Sequence, residues 1–79
     1  MIIKVMAKKF TKNGRGNYGT RVCFAYHDES FEGFPVGSIW IRIQFAKPEN
    51  IVIGQIYKIK IHDSYVVKLI PITTGKEVI

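Results

Sequence analysis

The chain has a single cysteine, Cys23, and only two histidines, His27 and His62. One thiol excludes an internal disulfide and a four-thiolate metal centre, and two histidines add too little for a zinc cluster. No metal and no cofactor are therefore expected. Acidic residues are also scarce, six against twelve Lys and Arg. No run of eighteen apolar residues occurs, which excludes a membrane-spanning helix by hydropathy. The opening Met1-Ile2-Ile3-Lys4-Val5 is not read as a signal peptide, because Lys4 interrupts its apolar stretch and no small-residue cleavage pattern follows. A lone thiol and this start fit a reducing, cytoplasmic setting. Gly14-Arg15-Gly16 lacks the third glycine of a dinucleotide fingerprint and the Gly-Lys-Ser/Thr ending of a P-loop. No nucleophile elbow links Ser38, His27 and Asp63, and His62-Asp63-Ser64 reads as a tight turn. Catalysis is not expected.

What is present is a short, basic and apolar chain. Its 79 residues suit one domain, residues 1–79. A hydrophobic share of 47% supplies one core and argues against disorder. A second copy would cover part of the apolar surplus, so a homodimer is admissible. The formal charge of +6 favours a polyanionic partner.

Apolar residues recur with period two nearly everywhere, which marks half-buried strands. The pattern predicts five: Ile2 to Phe10, with Ile3, Val5 and Ala7 on one face; Tyr18 to His27; Ser38 to Ala46, with Ile39, Ile41, Ile43 and Phe45 on one face; Gln55 to His62; and Tyr65 to Ile70, ended by Pro71. Turn chemistry separates them at Asn13–Asn17, at the acidic stretch Asp28–Gly37, at Lys47–Asn50 and at His62–Ser64. A flat five-stranded sheet would expose an apolar face and two long edges. Closure removes both, so the expected architecture is all-β, a small five-stranded antiparallel OB-like barrel, with an SH3-like barrel as the nearest rival.

The strongest functional signal is the segment Lys8–Arg21. It holds Lys8, Lys9, Lys12, Arg15 and Arg21, no acid, a glycine-rich loop and Tyr18. Cations beside a closely approachable backbone suit phosphates, and an aromatic ring suits a base. Trp40 and Arg42 share the face opposite the Ile39/Ile41 stripe, where a ring and a cation could hold a base and a phosphate. The same pair would suit a protein interface equally. Lys58 and Lys60 face outward on the fourth strand, and Lys58 is placed with the binding residues. The second strand is ambiguous. Either Cys23 and Ala25 face the core and the aromatics are displayed, or Val22 and Phe24 face the core and Arg21 is displayed.

With these residues in view, the chain resembles the filamentous-phage single-stranded DNA-binding proteins of the gene V type. The likeness is carried by Met1-Ile2-Ile3-Lys4-Val5, by Phe10-Thr11 leading into the arm Lys12–Tyr18, by Cys23-Phe24-Ala25-Tyr26-His27-Asp28, by Gly54-Gln55-Ile56-Tyr57-Lys58-Ile59 and by Leu69-Ile70-Pro71. The resemblance implies an OB barrel, a dimer and cooperative coating of single-stranded DNA. It implies contacts through Arg15, Tyr18, Arg21 and Phe24, with Cys23 and Ala25 inward and Phe24 outward. The hairpin that such proteins place before the last strand is reduced here to His62-Asp63-Ser64.

The sequence thus leads to a non-enzymatic protein that binds single-stranded DNA with little sequence preference, in phage or plasmid-type replication. The expected contact residues are Lys12, Arg15, Tyr18, Arg21, Phe24, Trp40, Arg42 and Lys58. The alternatives are a protein-interaction module using the Trp40 face, and an OB protein that binds RNA.

Overall fold

A computed structural model describes residues 1–63 and 65–72. The alternating segments form five antiparallel strands: β1 (Ile2–Lys12), β2 (Tyr18–Tyr26), β3 (Val36–Arg42), β4 (Ile56–His62) and β5 (Tyr65–Pro71). They make one sheet in the order β3-β2-β1-β4-β5. The sheet curls until its two edges, β3 and β5, bring Cα atoms within 8 Å, but no ladder joins them. It is not closed into a barrel. Curling hides the inner apolar face without pairing the last two edges, which meets most of the demand that led to the barrel expectation.

The core lies on the concave side. Ile3 and Val5 of β1, Val22 and Phe24 of β2, Ile41 of β3, Tyr57 and Ile59 of β4 and Val66 of β5 are buried together. Ile51, from the connection between β3 and β4, is also fully buried and closes one end. A 3-10 turn at Pro48–Asn50 leads into it. The Tyr57 hydroxyl fixes this connection, donating to the Asn50 carbonyl (2.9 Å) and accepting from the Val52 N–H (2.9 Å). A buried phenol needs such partners, and here they come from the irregular stretch that carries Ile51 into the core.

Several boundaries and facings differ from the sequence expectation. β3 ends at Arg42, so Ile43 and Phe45 leave the strand and are exposed rather than extending the core stripe. On β1 the register shifts between Val5 and Ala7. Met6 is the extra residue of a bulge. It moves Ala7 to the outer face, beside its partner Cys23, against the expectation that Ala7 shares a face with Ile3 and Val5. A second register shift falls between Lys60 and Ile61, and Ile61 is exposed. Asp63 turns the chain with φ +49°, and Ser64 of the expected reversal lies outside the described residues. Among the described residues no helix is long and apolar enough to cross a membrane.

Candidate nucleic-acid interface

Beyond the Met6 bulge β1 and β2 continue as a two-stranded arm, paired from Lys8↔Val22, where Val22 still belongs to the core, to Lys12↔Tyr18, and closed by a turn over residues 13–17. The turn is built by Asn13. Its Oδ1 accepts from the N–H groups of Arg15 and Asn17, each at 2.9 Å, and its N–H donates to the Asn17 carbonyl. Gly16 takes φ +85°, a backbone state that side chains other than glycine's rarely adopt.

Across the outer face of this arm, partner residues of antiparallel strands line up in rows. Lys9, Arg21 and Trp40 form one row, from β1 to β2 to β3; Thr11, Gly19 and Arg42 form the next. Trp40 leans across β2. A Cβ on Gly19 would stand 2.5 Å from the Cε2 and Cζ2 atoms of the indole, so the ring occupies the space that a larger residue 19 would need. Lys9, Thr11, Lys12, Asn13, Arg21 and Trp40 together line an open groove of about 440 Å³. No described carboxylate lines it, and neither Lys9 nor Arg21 is ion-paired to one. The half-buried Trp40 keeps its indole Nε1 away from solvent, without a hydrogen-bond partner among the described residues.

The other face of the arm carries Phe10 and Tyr18. Their rings stack at 5.4 Å between centroids, only 8° from parallel, and both are about half exposed. The Lys12 ammonium lies 5.5 Å from the Tyr18 centroid, within cation–π range. Lys12 thus reaches both faces at the hairpin end. Lys8, nearer the core, donates to the Pro48 carbonyl at 2.7 Å and holds the β3–β4 connection.

The groove gathers four of the expected contact residues in or beside it: Lys12, Arg21, Trp40 and, in the neighbouring row, Arg42. Arg15 is exposed on the turn beyond it. Tyr18 faces the opposite side of the arm from Arg21, as their odd spacing along β2 requires. Lys58 is exposed on β4, paired with Ile2 at the far end of β1, and is not brought to the groove. Phe24 must be withdrawn. It is buried, with its ring against Gly37, where a Cβ would meet it at 2.9 Å, and 5.9 Å from the Tyr26 ring. The inner set of β2 is Thr20, Val22 and Phe24, so Arg21 is displayed and Cys23 is exposed, against the inward thiol that the resemblance implied.

Lys9, noted in the basic segment, is absent from the expected contact residues, and Thr11 was missed. Without a bulge, Lys9 has the parity of Ile3 and Val5 and points inward; the extra residue at Met6 turns it out. A bulge leaves no compositional mark here, and only the implausibility of an inward Lys9 hinted at it. Among the described residues no group of three or more His, Cys, Asp or Glu is placed to hold a metal ion. Asp28 has its carboxyl held below the usual range, first by the Ser30 hydroxyl and then by the Ser30 N–H, in the loop at the opposite end of β2. Compared with known proteins, the chain matches no family model, no curated protein and no solved structure.

Proposed function

We propose that the outer face of β1–β3 binds single-stranded DNA, that the fold is an OB-like barrel with one seam open, and that the protein is a non-enzymatic coating factor in phage or plasmid-type replication. The observation that supports this most is the cross-strand row Lys9–Arg21–Trp40. It sets an aromatic ring, packed on Gly19 from one side, among cations with no carboxylate between them. Sequence-tolerant single-strand binders combine these two elements: ammonium and guanidinium groups track the phosphates, while a ring offers a face on which any base can stack. The strand order supports the OB reading as well, since it leaves β3 and β5 as the two edges that approach each other. In this reading Lys9, Lys12 and Arg21 hold the backbone, Thr11 offers a hydrogen bond, the Trp40 ring offers a stacking face, and Arg15 extends the track along the turn. The gene V-type resemblance belongs to the same reading, with Tyr18, Phe24 and Lys58 taken from the contact set and Lys9 and Thr11 added.

Trp40 is the only tryptophan, so its emission reports on this face alone. Titration with poly(dT) is expected to quench it, with an affinity that falls as salt rises. Replacing Lys9 or Arg21 by Ala should lower the salt slope by about 0.7 each, the increment for one phosphate contact on a single strand. Unchanged emission together with no binding by an independent assay would remove the proposal.

A further inference from the structure

The two ends of β2 carry opposite chemistry. At the Tyr18 end stands the Phe10–Tyr18 pair, with Lys12 against it and Arg15 on the adjoining turn. At the Tyr26 end, the loop between β2 and β3 holds Asp28, Glu29 and Glu32, half of the chain's six acids, and no Lys or Arg. The same loop displays Phe31 (58% exposed) and Phe34 (72% exposed), followed by Val36 at the start of β3 (76%). Large rings left in water at a loop tip call for a covering partner. Each end is therefore aromatic, and the two are fringed by opposite charge.

These surfaces cannot meet within one molecule. The strand Tyr18–Tyr26 separates them, and its eight residue-to-residue steps span roughly 26 Å at about 3.3 Å each. We propose that they meet between molecules: the Phe31/Phe34 loop of one copy docks on the Phe10/Tyr18 face of the next. Asp28, Glu29 and Glu32 then lie near the Lys12 and Arg15 of the neighbour. Such a contact joins different patches, so it is heterologous and propagates head to tail instead of stopping at a symmetric pair. It uses the side of the arm that turns away from Lys9, Arg21 and Trp40; of the groove's cations it reaches only Lys12, so the rest of the groove stays open in every copy. The proposal does not rest on the nucleic-acid reading and is tested without nucleic acid.

The test uses two double variants of the full chain. F31S/F34S removes the loop's rings, and F10S/Y18S removes the arm's; all four side chains are exposed strongly enough for the core to be untouched, which circular dichroism verifies. Analytical ultracentrifugation of the wild type is expected to show concentration-dependent growth past the dimer. Each variant alone should stay monomeric. Mixed in equal amounts, the two should form a complex of one copy each and nothing larger, because only one intact loop and one intact arm remain. A wild type that stays monomeric at millimolar concentration would overturn the proposal. So would a symmetric dimer that survives in both variants, or a mixture that shows no complex.

Discussion

The two halves of the β1–β2 ribbon are built from continuous strands, yet they do opposite work. From Ile3 to Val5 β1 turns aliphatic side chains into the core, and from Lys8 to Lys12 it turns cations and a ring toward water, while the facing Val22 and Thr20 of β2 stay buried. What separates them is one residue, Met6. Before it the inward positions of β1 are odd; after it they are even. A single inserted residue thus lets one strand serve a hydrophobic core and then present Lys9 and Thr11 on the same outer face as Arg21 and Trp40. The lesson is that facing is a property of the segment between bulges, not of the strand.

This contrast can be broken most forcefully at its aromatic residues. Phe24→Ala, in the core half, is expected to cost about 3–5 kcal/mol, the usual range for emptying a buried phenylalanine site. Phe10→Ala, in the arm half, should cost under about 1 kcal/mol, since the ring is already half exposed. Urea denaturation of the two variants checks the difference, and equal losses would mean that the halves are not distinct.

The next effect is smaller and sits at the boundary between β2 and β3. Gly19→Ala should cost about 1–3 kcal/mol, because the new methyl collides with the Trp40 ring and with the Ile41 carbonyl at 2.6 Å. The same variant should shift the Trp40 emission maximum and weaken poly(dT) quenching, whereas a purely structural role for the glycine would leave binding intact once the protein is folded.

Thr20 sharpens the comparison from the inside. It is fully buried where the arm joins the core, and its hydroxyl has no hydrogen-bond partner among the described residues. Thr20→Val keeps the shape and removes the unsatisfied group, so a gain of about 1 kcal/mol in thermal or urea unfolding is expected.

The smallest effect lies at the Asp28 loop. Its carboxyl is held below the ordinary 3.8 by the Ser30 hydroxyl and N–H. The folded state therefore favours the carboxylate. The resulting stabilisation is present above the unfolded pKa and is lost as pH falls through the lower folded value. An NMR titration should show Asp28 titrating below 3.8, and Ser30→Ala should return it toward that figure.

Much of the fold was legible, because period-two alternation of β-branched residues and glycine-bearing turns mark strands and their ends directly. All five strands lie close to where the pattern put them, and the basic arm was apparent from charge alone. What escaped depends on contacts between strands. The facing of β2 was undecidable by parity, since Val22/Phe24 and Cys23/Ala25 are both apolar sets. The family resemblance chose the wrong one. The role of Ile51 was hidden in a stretch without periodicity, Ile51-Val52-Ile53, where nothing local marks which of three similar side chains enters the core. Lys58 was placed with the site because it points outward, but outward on β4 is the wrong end of the sheet.

The tether between the Tyr57 phenol and the Asn50–Val52 backbone carries one more implication. Along the paired strands the interior is shut by ladders, whose many bonds must break together. At this end it is shut by a connection held through separate single hydrogen bonds, two on the Tyr57 oxygen, one from Lys8 to the Pro48 carbonyl and one from the Gly54 N–H to the Val5 carbonyl. Opening there uncovers Ile51 and the Tyr57 phenol and leaves the sheet whole, so the molecule's first excursion from its native shape should be a local uncorking and not an unravelling of strands.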